Sequence, residues 1–356
     1  MSDSIQPSNF RDKVVLVTGG ALGLGSATVR LFAERGATVV VCDVHEHEGE
    51  SLVAELLARG RHARFVALDV ASETDWQRVT QTVAREFGTL HALVNNAGII
   101  ARLGLMEATL DDWHRVMDVN VTGAFLGIQR LAPLIRDSGG GAIVNVSSTA
   151  GLIAHNDAAY TASKWALRGL TKAAALDLVG WNIRVNSVHP ATIATSLTDA
   201  APSGHLEANR RAIPMGREAS GEEVAEVILF LASDQSSYMT GAEIAVDGGL
   251  SAAGVAWMRS RIQIELVNHK GNDPAPVRYL AIAMQCGARV GLDEFDAIPE
   301  REILGRYPYA LAAFADLHAS LGNLEEARGY LHRALENQSS PAQQALLRRK
   351  GAAIER

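Results

Sequence analysis

The sequence predicts an α/β fold, a doubly wound parallel sheet of seven strands with helices on both faces, followed by an all-α C-terminal extension. Three observations predict it. Short apolar runs alternate with helix-patterned segments from Val14 to Val246, the order that builds parallel sheets. The first run, Val14-Val15-Leu16-Val17, is apolar at every position and passes at once into a glycine-rich turn, Thr18 to Gly25. Hydroxyl, amide and acidic residues recur just after successive runs, and in an open sheet of this kind ligands gather at the carboxyl ends of the strands.

Taken in order, Val14 to Val17 has the look of a strand buried on both faces, and Ala27 to Gly36 reads as the helix after the turn. Strand, glycine turn and helix form the context a phosphate loop requires, because glycines let backbone N–H groups approach a pyrophosphate at a helix N-terminus. The spacing is G-x-x-x-G-x-G, with Gly19, Gly23, Leu24 and Gly25 as the candidate contacts; a glycine turn without a ligand is the competing reading. The second strand, Thr38 to Cys42, ends in Asp43. A carboxylate there accepts hydrogen bonds from both ribose hydroxyls of an adenosine and repels a 2′-phosphate. No Arg or Lys stands in the turn or directly after Asp43, so NAD is favoured over NADP. Cys42, His45, Glu46 and His47 read as solvated residues opening a helix rather than as a metal cluster.

The third strand, Arg64 to Leu68, ends at Asp69-Val70, the expected contact for an adenine edge, and a helix follows over Glu73 to Phe87. Strand four, Leu90 to Val94, ends in Asn95-Asn96-Ala97-Gly98, small and amide residues that can close over a ribose. Met106 to Arg136 holds a long helical stretch with Asn120 inside an apolar pattern, either a satisfied core amide or a site residue. Strand five ends at Ser147-Ser148, and strand six, Ile183 to Val188, leads to His189-Pro190-Ala191-Thr192-Ile193-Ala194-Thr195. Ser196 to Pro214 lacks periodicity and is expected to be a loop over the substrate. Glu222 to Ala232 is a helix and Glu243 to Val246 the seventh strand.

Composition narrows the function classes. A net charge of −7 argues against nucleic acid or an anionic membrane as the main partner. Met1 to Phe10 is polar and no run approaches the length of a membrane span, so a cytoplasmic protein is expected. Two cysteines far apart, Cys42 and Cys286, fit reduced thiols rather than a disulfide framework.

The chemistry is carried by Tyr160 and Lys164, four apart on a predicted helix and therefore on one face. An ammonium beneath a phenol favours phenolate and brings it toward working range, although such pairs also occur as plain surface neighbours. The Ser148 hydroxyl at the preceding strand end can hydrogen-bond the same substrate oxygen. The combination suits proton transfer to and from an alcohol or carbonyl oxygen while another group exchanges hydride.

Jointly, T-G-x-x-x-G-x-G at Thr18 to Gly25, N-N-A-G at Asn95 to Gly98, Asn120, Ser148 and Y-x-x-x-K at Tyr160 to Lys164 resemble the short-chain dehydrogenase/reductase family over residues 10–250. The resemblance implies a Rossmann-like, NAD-binding enzyme that interconverts a secondary alcohol and a ketone, commonly as a homo-oligomer, dimer or tetramer. It implies Tyr160 as acid/base, Ser148 orienting the substrate oxygen, Lys164 on the nicotinamide ribose and lowering the tyrosine pKa, and Asn120 holding a proton-relay water. With it come the cofactor contacts Gly19, Gly23, Leu24, Gly25, Asp43, Asp69, Val70, Asn96, Gly98, Tyr160, Lys164, Pro190, Ile193 and Thr195. Two departures are visible: Pro190-Ala191 where the family usually has Pro-Gly, and a segment from Ser148 to Tyr160 about one residue short.

Residues 251–356 lie outside the resemblance. Their charge is nearly balanced, 13 Lys+Arg against 12 Asp+Glu, which leaves 20 against 28 in residues 1–250. Leu311, Phe314, Leu317, Leu321, Gly322, Leu324, Ala327, Leu331, Ala334, Leu335 and Pro341 pattern like a tetratricopeptide-type helix pair, with further helices expected over Ala275 to Val290 and Ala342 to Ile354. The segment is also loosely similar to the helical C-terminal region of some large extracytoplasmic-function sigma factors. A lone helix pair cannot bury its own apolar faces, so a packing appendage and a partner-binding module both stay open. The alternative function is correspondingly an NAD-binding regulatory or scaffold protein.

Overall fold

A computed structural model describes residues 9–194, 205–254 and 308–336, together with Arg348. The chain forms two compact units, Met1–Gly254 and Val255–Arg356.

The first unit is built on seven parallel strands: β1 (Val14–Thr18), β2 (Thr38–Asp43), β3 (His62–Ala67), β4 (Ala92–Asn95), β5 (Gly141–Val146), β6 (Ile183–Pro190) and β7 (Glu243–Val246). Their order across the sheet is β3-β2-β1-β4-β5-β6-β7. The chain reverses direction across the sheet between β1 and β4, which opens a crevice at their carboxyl ends. The intervening helices are α1 (Gly23–Glu34), α2 (Glu46–Ala58), α3 (Glu73–Glu86), α4 (Leu110–Met117), α5 (Gly123–Asp137), α6 (Ala158–Leu178), α7 (His205–Ala212) and α8 (Gly221–Ala232).

The continuous apolar runs are explained by burial on both faces. Strand residues alternate between faces, and the two cores divide accordingly. Leu16 and Val40 join Trp76, Val79, Leu131, Ile135 and Leu178 from α3, α5 and α6. Val15, Val17, Val39 and Val41 join Val29, Phe32, Leu52, Leu56, Val224 and Ile228 from α1, α2 and α8. Each large side chain so enclosed contributes roughly 1.5–3 kcal/mol. Trp76 is buried with its polar edge satisfied, donating Nε1–H to the Val70 carbonyl at 2.9 Å.

Two expectations are corrected. The stretch from Met106 to Arg136 is not one helix: α4 and α5 are separated by a π-helical turn, Asp118–Thr122, which rotates Asn120 inward and leaves it 2 % exposed. Single wide turns of this kind are frequent at functional positions. Within Ser196 to Pro214, the described part contains α7, whose short sequence HLEANRRA is mostly polar. Smaller shifts affect β3, which starts at His62 rather than Arg64.

In the second unit, α9 (Pro308–Ser320) and α10 (Leu324–Glu336) form a helix pair joined by a turn with Gly322 at φ 80°. Leu311, Ala312, Ala315, Leu331 and Ala334 make its core. The helices expected over Ala275 to Val290 and Ala342 to Ile354 lie outside the described residues apart from Arg348. Among the described residues no helix is long and apolar enough to cross a membrane.

Candidate active site and cofactor crevice

The glycine turn sits at the carboxyl end of β1 and folds back on itself. Gly19 and Gly23 are left-handed, at φ 60° and 52°, where a side chain would be strained. A Cβ at Gly25 would stand 1.8 Å from the Gly19 carbonyl oxygen, and one at Gly19 would stand 2.8 Å from Ala97 Cα. The turn is tied to the end of β4: Asn96 Nδ2 donates to the carbonyls of Thr18 and Gly19 at 3.0 and 2.9 Å. Thr18 Oγ1 in turn accepts from the N–H groups of Asn96 and Ala97, both at 3.1 Å. Leu22, at the N-cap of α1, offers no side-chain cap to the first-turn N–H groups.

Asp43, at the tip of β2, is buried. Its Oδ2 accepts from the Ala21 N–H of the glycine turn at 2.9 Å, and Oδ1 accepts from the His45 N–H at 3.1 Å and faces His45 Nδ1 at 2.9 Å. An ionised carboxylate has about four acceptor positions, so Asp43 braces the turn and still has acceptor capacity. His45 is half exposed beside it, and among the described residues no His, Cys, Asp and Glu group is placed to hold a metal ion. Cys42 is fully buried, which pushes its thiol far above the usual range. Asp69 is exposed, its Oδ1 accepting from the Ala71 N–H at 2.9 Å, and Val70 is packed in the core.

Asn120, Ser148, Tyr160 and Lys164 converge at the ends of β4 and β5. Asp157 caps α6, accepting from the Tyr160 N–H at 2.9 Å, and the Ser148 side chain stands close enough to Tyr160 to pull its phenol down. Lys164 is 4 % exposed. Its Nζ lies 5.5 Å from the Tyr160 ring centroid and donates to the Val146 carbonyl at 3.0 Å. A Cβ at Gly98 would stand 3.3 Å from both Lys164 Nζ and Asn120 Oδ1, so any side chain there would crowd both. Asn120 accepts from the Ile99 N–H at 2.8 Å and donates to the Ile99 carbonyl and Ser163 Oγ, each at 2.9 Å. Ser163 Oγ donates to the Tyr160 carbonyl at 2.8 Å, so the wide turn is linked to the tyrosine's own backbone.

Burial is the largest influence on Tyr160 and pushes its phenol up; the Ser148 hydrogen bond pulls it down and the Asp157 charge pushes it up. Lys164 stands beside the ring, its Nζ 5.5 Å from the centroid. The ammonium is turned toward a carbonyl and is itself pushed down to about 8 by burial, because desolvation disfavours charge.

One contributor escapes a reading of the sequence. His189, fully buried on β6, places Nδ1 3.1 Å from the Ser148 carbonyl and Nε2 2.9 Å from Ser187 Oγ. An Nδ1–H donor satisfies both contacts, and burial holds the ring below its usual pKa, so a neutral imidazole anchors the backbone of Ser148. A histidine before Pro190 is visible in the sequence, but nothing there announces its burial or its partner. Pro190 ends β6, and Ile193 forms a parallel bridge with Ala219; Thr195 lies outside the described residues.

A family model described as Enoyl-(Acyl carrier protein) reductase matches residues 19–251. The chain is 44 % identical over 248 residues to the trans-4-hydroxycyclohexanecarboxylate dehydrogenase of Sinomonas cyclohexanicum, covering 68 % of this chain and 93 % of that protein. It is likewise 44 % identical to the 3-alpha-(or 20-beta)-hydroxysteroid dehydrogenase of Mycobacterium tuberculosis, covering 68 % and 91 %. The cyclopentanol dehydrogenase of Comamonas sp. is also 44 % identical, over 244 residues covering 68 % and 98 %. A solved structure, that of gox2181, matches with a TM-score of 0.67 at 33 % identity, covering 69 % of this chain and 98 % of that one. The chain belongs to the short-chain dehydrogenase/reductase family. It is an oxidoreductase whose relatives are alcohol dehydrogenases.

Proposed function

We propose that the chain is an NAD-dependent dehydrogenase that interconverts a secondary alcohol and its ketone, with Tyr160 as the acid/base. The observation that carries the reading is the convergence of Ser148, Tyr160 and Lys164 at the mouth of the crevice, beside Gly98 and the glycine turn. The crevice fits a dinucleotide: Gly25 and Gly19 leave room that a Cβ would fill, the first turn of α1 has no side-chain cap, and Asp43 stands where a ribose carboxylate partner is needed. A bound nicotinamide supplies the hydride acceptor or donor. Ser148 holds the substrate oxygen, Tyr160 Oη takes its proton during oxidation and returns it during reduction, and Lys164 stands beside the ring to hold the nicotinamide ribose. The names of the relatives point to alicyclic alcohols as the first substrates to assay.

Asp43 should set cofactor choice. Asp43→Asn keeps an acceptor for the Ala21 N–H but removes the charge that holds ribose and repels a 2′-phosphate. Since hydrogen bonds to charged groups contribute roughly 1.5–3 kcal/mol, the ratio of kcat/KM with NAD to that with NADP should fall by about tenfold or more. A wild-type protein that already prefers NADPH would contradict this assignment.

The tetratricopeptide-like pair of residues 308–336 carries none of these site residues. We assign it to assembly of a homodimer or homotetramer in the cytoplasm. A chain ending at Gly254, the limit of the first unit, should keep its NAD affinity within about twofold, as an independently folding domain does, and change oligomer size by light scattering. Loss of NAD binding in that chain would contradict the division of labour.

A further inference from the structure

Asp157 does more than cap a helix. Its carboxylate is 3 % exposed, and its two oxygens hold two segments that are far apart in sequence. Oδ1 accepts from the Tyr160 N–H at 2.9 Å. Oδ2 accepts from the Arg102 N–H at 2.7 Å, in the segment that runs from the end of β4 to α4. Arg102 is left-handed, at φ 61°, a conformation that costs a residue with a side chain and persists only where the surroundings hold it. The same segment is tied further back, where Ile99 exchanges two hydrogen bonds with Asn120. Two ties therefore join this segment to the tyrosine helix: one through Asn120 and Ser163, the other through Asp157 directly.

Asp157 is itself well held. Its N–H donates to His155 Nδ1 at 3.1 Å, which leaves the proton of a neutral His155 on Nε2, and the His155 ring meets Tyr160 edge to face at 5.9 Å between centroids. His155 and Thr161 are locked by a reciprocal pair, the His155 N–H donating to Thr161 Oγ1 at 3.1 Å and Thr161 Oγ1 donating to the His155 carbonyl at 3.0 Å. The negative charge rests on backbone donors and on the positive end of α6.

We propose that Asp157 is a positioning residue for the dehydrogenase reaction, a clamp that fixes the segment 99–109, and with it one wall of the substrate site, against the helix that carries Tyr160. This rests on the function proposed above. The clamp has an electrical side: the charge pushes the phenol up. The other groups facing the ring are Lys164 from α6, Ser148 from the end of β5 and His155 from the turn before α6.

The test uses Asp157→Ser and Asp157→Asn in the full chain. Both side chains are good N-caps, so α6 keeps its first turn, but neither offers the Arg102 N–H a second carboxylate oxygen. Three readouts are taken: hydrogen exchange of peptides over residues 99–109, NAD affinity, and the pH profile of alcohol oxidation with its KM. Faster exchange over 99–109 is expected with NAD affinity unchanged, a KM raised about tenfold or more by looser positioning, and the rising limb of the pH profile moved to lower pH. Unchanged exchange in folded variants overturns the clamp, as does an equal loss of NAD binding or failure of both to fold, which would make Asp157 a general stabiliser. A wild type that turns over no alcohol removes the proposed function and with it this role in a reaction; the exchange result then still decides the physical tie by itself.

Discussion

Tyr160→Phe is expected to lower turnover by about 10²–10⁴-fold, the range that general acid–base catalysis contributes, while NAD affinity changes little. The substitution removes one oxygen and keeps the ring, so the contact with Lys164 Nζ at 5.5 Å from the centroid and the edge-to-face contact with His155 survive. Ser148 then faces the substrate oxygen without the phenol that exchanges its proton. The loss should appear in kcat and in kcat/KM alike, the pattern of an interaction made in the transition state. Steady-state kinetics in both directions check it. Retained activity in Tyr160→Phe would remove the phenol from the chemistry. The direction of the pH dependence follows from the same assignment: oxidation needs the phenolate and gains with rising pH, whereas reduction needs the phenol and gains as pH falls.

Gly25→Ala is expected to be the most damaging single change to cofactor binding. The new Cβ would stand 1.8 Å from the Gly19 carbonyl oxygen, 2.7 Å from the Gly19 carbonyl carbon and 2.8 Å from Asn96 Nδ2, and two of those atoms are backbone. The turn must move as a unit, and it moves against the Asn96 and Asp43 hydrogen bonds that set its height over the crevice. A displacement on the order of 1 Å in such a site costs about 10²-fold, so NAD affinity should fall by about that factor and the melting temperature should drop as overpacking destabilises the site. Titration with NAD against a melting curve separates the two effects. Wild-type affinity in Gly25→Ala would show that the turn is not the phosphate cradle.

Much of this was legible in the sequence because parallel strands buried on both faces read as unbroken apolar runs: Val14 to Val17 and Val39 to Val41 announce themselves whatever their partners. The motif residues were legible for a related reason, since the end of each run marks the end of a strand where ligands gather. What escaped was geometry that composition does not encode. The π-helical turn at Asp118–Thr122 uses residues that would serve equally in an α-helix. The helix α7 is short and mostly polar in sequence. The left-handed Arg102 and its bond to Asp157 join positions 55 residues apart, and neither residue type is unusual where it stands. The charge balance at Tyr160 also escaped: spacing placed an ammonium beside the phenol, but only the structure shows that Lys164 Nζ also donates to the Val146 carbonyl and that burial is the largest influence on the ring.

The most direct test of the central claim is an assay of the wild-type chain with NAD and with NADP against cyclopentanol, 4-hydroxycyclohexanecarboxylate and a 3-hydroxysteroid, followed by formation of the reduced cofactor. Turnover of at least one of these alcohols is expected, faster with NAD than with NADP and lost in Tyr160→Phe. A chain that binds NAD yet oxidises none of the alcohols and reduces none of the matching ketones would contradict the account and favour a cofactor-binding regulatory or scaffold protein.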